Sequence, residues 1–101
     1  MKNKKTAIIF GVSGQDGAYL SHFLLQKGYR VIGTTRNKSK KNLYRLKKLN
    51  IIKKIVLLKG EATDLKFCQY VLNSKINEIY YLAGDSSVVK SFLSPNISLK
   101  S

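Results

Sequence analysis

The sequence predicts an α/β protein: the first half of a doubly wound parallel sheet, with about four strands and crossover helices. Three observations carry this expectation. Short apolar runs, three of them stopped by glycine, alternate with stretches of helical periodicity. The runs lie far enough apart for helical crossovers, which place consecutive strands parallel and right-handed. A chain of 101 residues with 44% hydrophobic content is enough for a core but for one domain at most. Residues 1–101 are therefore read as part of a single α/β domain, with no second domain.

The first strand is Thr6-Ala7-Ile8-Ile9-Phe10, continuously apolar as a strand covered on both faces should be, and stopped by Gly11. Leu20, Phe23 and Leu24 recur at helical spacing within residues 15–27, and Gly28 is a natural stop. Arg30–Thr35 is β-rich and makes the second strand. Leu43, Leu46 and Leu49 mark a short, very basic helix, and residues 55–58 a third strand ended by Lys59-Gly60. Asp64 is placed to cap a helix running to about Ser74, with Leu65, Val71 and Leu72 inward. Residues 79–83 form the fourth strand, stopped by Gly84. With nothing beyond it, this strand is expected to be an exposed hydrophobic edge.

Charge is extreme: 19 Lys plus Arg against 5 Asp plus Glu, a formal +14. No acid occurs between Gly17 and Gly60. Such a face attracts phosphate-rich partners, nucleic acid included. The plainer reading is a solvated lysine surface, because Arg contributes only Arg30, Arg36 and Arg45 and no nucleic-acid-binding motif is present. A single Cys excludes an internal disulfide framework or a Cys-rich zinc site. The apolar runs are too short to span a bilayer, and the one after the basic start is cut by Gly11, so neither a membrane span nor a signal peptide is expected. A cytoplasmic location is the expectation. His22 lacks a partner at metal spacing, and Cys68 reads as a small buried hydrophobe.

A doubly wound sheet binds ligands at the carboxyl ends of its strands. The first such segment, Gly11-Val12-Ser13-Gly14-Gln15-Asp16-Gly17, reads G-x-x-G-x-x-G between a strand and a helix. Gly11 permits the turn, Gly14 lets backbone approach a pyrophosphate, and Gly17 lets the helix pack on the strand. The amides around Gln15 and Asp16 then face an anion at the positive end of the helix. A plain strand-to-helix turn is the competing reading. The second strand ends in Thr34-Thr35-Arg36-Asn37 without an acid. Arg36 there suits the 2′-phosphate of NADP, or is simply one more cation in a basic stretch.

Gly14-Gln15-Asp16-Gly17-Ala18-Tyr19-Leu20, then Phe23-Leu24-Leu25-Gln26-Lys27-Gly28-Tyr29, resembles the opening of GDP-mannose 4,6-dehydratases, members of the extended short-chain dehydrogenase/reductase superfamily. Glu78-Ile79-Tyr80-Tyr81-Leu82-Ala83-Gly84, Ser86-Ser87-Val88, Ser91-Phe92 and Pro95 agree with it. The resemblance implies a Rossmann domain binding NADP. Its cofactor residues would be Gly11, Val12, Ser13, Gly14, Gln15, Asp16 and Gly17 at the pyrophosphate, Arg36 at the 2′-phosphate, and Glu61 and Ala62 at adenine. Leu82, Ala83, Gly84 and Ser86 would lie along the cofactor, with Ser87 and Val88 towards the substrate. The implied substrate is GDP-mannose, converted to its 4-keto-6-deoxy derivative, and the implied assembly is a homo-oligomer. Another nucleotide-sugar epimerase, reductase or dehydratase stays open, as does a non-enzymatic nucleic-acid-binding module.

This sequence departs from the family pattern at Phe10, Asn37, Glu61, Asp85 and Ile97, as a coding sequence under relaxed constraint would. The resemblance also implies a catalytic Tyr-x-x-x-Lys, expected further along than these residues reach. The literal instance, Tyr44 to Lys48, falls in the basic helix and reads as coincidence. No catalytic residue is assigned. The chain is expected to be inactive alone and to bind cofactor weakly.

Overall fold

In a computed structural model, residues 4–72, 75–82, 87–91 and 97–100 are described. The elements run β1 (Thr6–Phe10), α1 (Gln15–Gln26), β2 (Arg30–Thr35), α2 (Lys40–Lys48), β3 (Val56–Lys59), α3 (Leu65–Leu72), β4 (Glu78–Tyr81), α4 (Ser87–Lys90) and β5 (Ser98–Lys100). They form one parallel sheet in the order β3-β2-β1-β4-β5. The strand order reverses at β1, which pairs β2 on one side (Ile8 opposite Ile32) and β4 on the other (Ile8 opposite Ile79).

The alternation along β1 divides the core in two. Ala7 and Ile9 point into a layer with Ala18 and Leu24 of α1 and Leu43 and Leu46 of α2. Ile8 and Phe10 point the other way, onto Cys68 and Val71 of α3 and Val89 of α4. All four β1 side chains are fully buried, which explains why this strand reads as apolar without a break.

Both long helices of the first layer end by the same device. Tyr29 N–H donates to Leu24 O and Gly28 N–H to Leu25 O, closing α1 where Gly28 announced a stop. In α2 the left-handed residue is Asn50 (φ 58°), and Ile51 N–H donates to Leu46 O. The predicted cap of α3 is present: Asp64 Oδ1 accepts from Lys66 N–H at 3.0 Å and Phe67 N–H at 3.2 Å.

Three expectations need correction. A fifth strand, Ser98–Lys100, pairs in parallel with β4, so β4 is not the sheet edge; β3 and β5 are. Its Ser-Leu-Lys sequence has one apolar residue, and the open hydrogen-bonding side of β4 supplies what its own pattern does not. Leu65, expected inward, is 55% exposed, because packing of α3 begins at Phe67 and continues through Cys68 and Val71. Strand bounds also shift: the third strand is Val56–Lys59, one residue later than expected, with Ile55 buried just before it, and the fourth is Glu78–Tyr81, starting one residue early and ending before Leu82. Ser74 and Ala83, the expected ends of α3 and β4, lie outside the described residues.

Candidate functional site

The carboxyl ends of β1, β2, β3 and β4 open into one cleft of about 1010 Å³. Its floor is the glycine loop. Gly11 sits at φ 90°, a left-handed conformation that side chains resist, and the amides of Gly11 and Val12 both donate to Thr34 O, at 3.1 and 2.9 Å. That pairing ties the loop to the end of β2. Gly17 is demanded by a close approach: a Cβ there would lie 2.6 Å from Gly11 O and 2.7 Å from Val12 Cα. The loop is thus pinned between the strand end and the first turn of α1.

Gly14 differs. Its φ of −72° and ψ of 172° suit any residue, and a Cβ would meet protein only at 3.7 Å. It is the N-cap of α1 and supplies no side-chain cap. The first-turn amides of α1, which have no acceptor one turn earlier within the helix, therefore keep their capacity to bind an anion from outside.

Beside the loop stands a compact polar cluster. Ser13 Oγ and Thr35 Oγ1 are 2.9 Å apart. Asn42 Nδ2 donates to Ser13 Oγ and Thr35 Oγ1, each at 3.2 Å, and to Asn37 O at 2.6 Å. Ser39 Oγ, the cap of α2, accepts from Asn42 N–H at 3.2 Å. The start of α2 is thereby clasped to the glycine loop and to the turn after β2. Further out, Arg36 and Glu61 lie side by side in the cleft lining, past the ends of neighbouring strands, with 3.8 Å between Nη1 and Oε1, both largely exposed. A pair so open to water contributes at most about 1 kcal/mol to stability.

Of the residues singled out from sequence, Gly11, Ser13, Gly14, Arg36, Glu61, Ala62 and Leu82 line this cleft. Val12 does not: its side chain is fully buried and packs under Gly33, so only its backbone belongs to the loop. Gly17 is buried in the helix packing, and Asp16 lies in the exposed first turn of α1. Gln15 borders a smaller cleft with Tyr19, Tyr44 and Lys48. Val88 packs against the second core layer, Ser87 begins α4, and Ala83, Gly84, Asp85 and Ser86 lie outside the described residues.

Asn42, Lys59 and Tyr81 also line the cleft and were not singled out. For Asn42 the available signal was an amide in an otherwise basic helix start, masked by the surrounding lysines. The literal Tyr44–Lys48 pair is away from the main cleft; Tyr44 is half exposed, with the Arg45 guanidinium 5.1 Å above its ring.

One titrating cluster stands apart from the cleft, at the amino-terminal end of β4. Tyr80 and Tyr29 hydroxyls donate to Glu78 Oε1 and Oε2, at 2.8 and 2.9 Å. Burial first, then the Glu78 carboxylate, push the Tyr80 hydroxyl up to about 12. Burial alone would raise the Glu78 carboxyl, but the two tyrosine hydrogen bonds and the charges of Lys100 and Lys5 outweigh it and hold it below its usual value. Among the described residues no group of three or more His, Cys, Asp or Glu could hold a metal, and no helix is long and apolar enough to cross a membrane.

The comparisons fit this architecture. The dTDP-glucose 4,6-dehydratase of Bacillus anthracis, solved in complex with NAD, superposes with a TM-score of 0.73 over 94% of this chain and 36% of its own, at 20% identity. A short-chain dehydrogenase/reductase-family oxidoreductase from Burkholderia thailandensis gives a TM-score of 0.61 over 78% of this chain and 31% of its own, at 19% identity. At these identities the likeness is one of fold, and it bears out the Rossmann-like expectation. Sequence relatives are nearer. The GDP-mannose 4,6 dehydratase of Cricetulus griseus is 40% identical over 98 residues, covering 90% of this chain and 26% of that protein. GDP-mannose 4,6 dehydratase 1 of Arabidopsis thaliana is 38% identical over 103 residues, covering 95% and 28%. The chain thus spans about a quarter of the length of these relatives. The family profile described as GDP-mannose 4,6 dehydratase matches residues 8–101, and on that match the chain belongs to the GDP-mannose 4,6-dehydratase family.

Proposed function

We propose that the cleft binds a nicotinamide dinucleotide, NADP in preference to NAD, and that the chain is the cofactor-binding amino-terminal portion of a GDP-mannose 4,6-dehydratase. The observation that carries this reading is the combination at Gly14. The fold makes no demand for a glycine there, the helix it begins has no side-chain cap, and the residue lines the cleft. A missing side chain above open amides is what a pyrophosphate needs.

In this reading the backbone from Gly11 to Gly17 holds the diphosphate. Arg36 meets the 2′-phosphate, Glu61 and Ala62 flank adenine, and Leu82 begins the segment along the nicotinamide half. Ala83, Gly84 and Ser86 continue that segment, with Ser87 and Val88 nearest the sugar nucleotide. The Asn42 clasp keeps the loop and the Arg36 turn at a fixed separation, so the nucleotide meets a site already shaped. When bound, the cofactor would accept and return a hydride.

The same reading makes the chain inactive by itself on GDP-mannose. The one Tyr-x-x-x-Lys present, Tyr44 to Lys48, sits outside the cleft. A cytoplasmic location and a homo-oligomeric whole protein go with it. Titration of the purified chain with NADPH, followed by cofactor fluorescence, tests the proposal. Saturable binding displaced by NADP is expected, with no 4-keto-6-deoxy product from GDP-mannose. Absence of saturable binding at millimolar cofactor refutes the cofactor assignment, and product formation refutes the inactivity.

A further inference from the structure

We infer that Glu61 is a specificity-determining residue which weakens this site's preference for a 2′-phosphorylated adenosine by competing for Arg36; the inference rests on the nucleotide-binding reading above. The juxtaposition of the two charges is built into the sheet. β2 and β3 run in register to Thr35 opposite Lys59, and Gly60 N–H then donates to Thr35 O at 2.9 Å. Arg36 directly follows Thr35 and Glu61 directly follows Gly60, both just past the strand ends, so the end of the ladder brings the two turns together. On the far side, Asp64 N–H donates to Glu61 O at 3.0 Å, which fixes the turn from which the carboxylate projects.

Among the described residues the other acid lining the cleft, Asp64, is already engaged. Asp64 Oδ1 accepts the first-turn amides of α3 and is committed to that cap. Glu61 has Arg36 as its partner, 3.8 Å away. A phosphate seeking the Arg36 guanidinium must therefore displace or tolerate this carboxylate, whereas an unphosphorylated ribose offers hydroxyl groups that a carboxylate accepts. Arg36 favours the phosphate and Glu61 favours the hydroxyl. The selectivity of the site is their difference.

The test uses adenosine 2′,5′-bisphosphate and adenosine 5′-monophosphate as probes, each measured as a competitor of NADPH on the intact 101-residue chain. The readout is the ratio of their affinities. Glu61→Gln is expected to raise the ratio in favour of the bisphosphate roughly two- to fivefold, the range an exposed charge pair supports. In 1 M salt, where screening acts over about 3 Å, the gain is expected to shrink. Arg36→Gln is expected to drive the ratio down. Both side chains are largely exposed, so the variants are expected to fold, which circular dichroism checks. An unchanged or lowered ratio in Glu61→Gln, or a gain undiminished by salt, overturns the inference while leaving nucleotide binding intact. Failure of the unaltered chain to bind any of the three nucleotides overturns the proposed function, and this inference with it.

Discussion

Gly14 and Gly17 make opposite demands, and replacing each by alanine separates stability from binding. At Gly17 an added Cβ would lie 2.6, 2.7 and 2.8 Å from Gly11 O, Val12 Cα and Val12 C, all of them backbone atoms. None can rotate aside, so the loop or the helix must move. Overpacking of this kind costs about 1–3 kcal/mol. Against it stands the gain of alanine over glycine inside a helix, about 1 kcal/mol. The balance for Gly17→Ala is a loss of about 1 kcal/mol, up to about 2 if the link from Val12 N–H to Thr34 O is stretched as well. At Gly14 the nearest protein atom to a new Cβ is 3.7 Å away and the backbone is already extended. Gly14→Ala should therefore change stability by no more than about 0.5 kcal/mol, the loss of a glycine cap offsetting the stiffer unfolded chain. On the cofactor-binding reading its methyl group would occupy space in the cleft lining that a pyrophosphate needs, and NADPH affinity should fall at least about tenfold, or 1.4 kcal/mol. Urea unfolding followed by far-ultraviolet circular dichroism and NADPH titration provide the two readouts. A Gly17→Ala chain as stable as the parent would refute the packing argument, and a Gly14→Ala chain binding NADPH undiminished would refute the cradle.

Three further outcomes follow from the geometry. Asp64→Ala removes the acceptor for two amides at the start of α3 and should cost about 1 kcal/mol in urea unfolding, with Asp64→Ser recovering most of it. Asn42→Ala frees the start of α2 from the glycine loop; stability should drop by about 1 kcal/mol, and hydrogen exchange at Ser13 and Asn37 should speed up. Tyr80 titrates higher in the folded chain than its ordinary value of 10.0, at about 12, so folding holds its proton. The stabilisation it contributes is complete below pH 10 and disappears as the pH rises from 10 to 12, and unfolding midpoints of Tyr80→Phe should show a shallower decline across that window.

What could be read from sequence followed burial on two sides. β1 and its glycine stop declared themselves because a strand covered on both faces has no polar positions to obscure it, β2 because it is rich in β-formers despite the polar Arg30, Thr34 and Thr35, and α1 because its stripe, its glycine loop and Gly28 agree. The fifth strand was hidden because pairing with β4, rather than hydrophobic content, makes it a strand. Leu65 misled because helical spacing gives a face but not the turn at which packing starts. In the cleft, the loop and the Arg36 turn were legible from chain position, and Glu61 from the family resemblance. Asn42 was not, since its three acceptors belong to segments up to 29 residues away and come together only when α2 docks. Val12 shows the reverse: its place in the motif marked it as a gripping residue, yet its isopropyl group fills the core beneath Gly33.

The middle position of β1 has a bearing on how the chain emerges from the ribosome. One flank of β1 meets β2 within the first 35 residues, so the layer holding α1 and α2 has most of its members early in synthesis. The other flank waits for β4: Thr6 N–H donates to the Asn77 side chain, 71 positions downstream. Translation at about 5–20 residues per second leaves that edge without its neighbour for several seconds, and α3 and α4, which cover Ile8 and Phe10 on one face, are also made late. In the nascent chain this greasy half-strand is the part most in need of a chaperone.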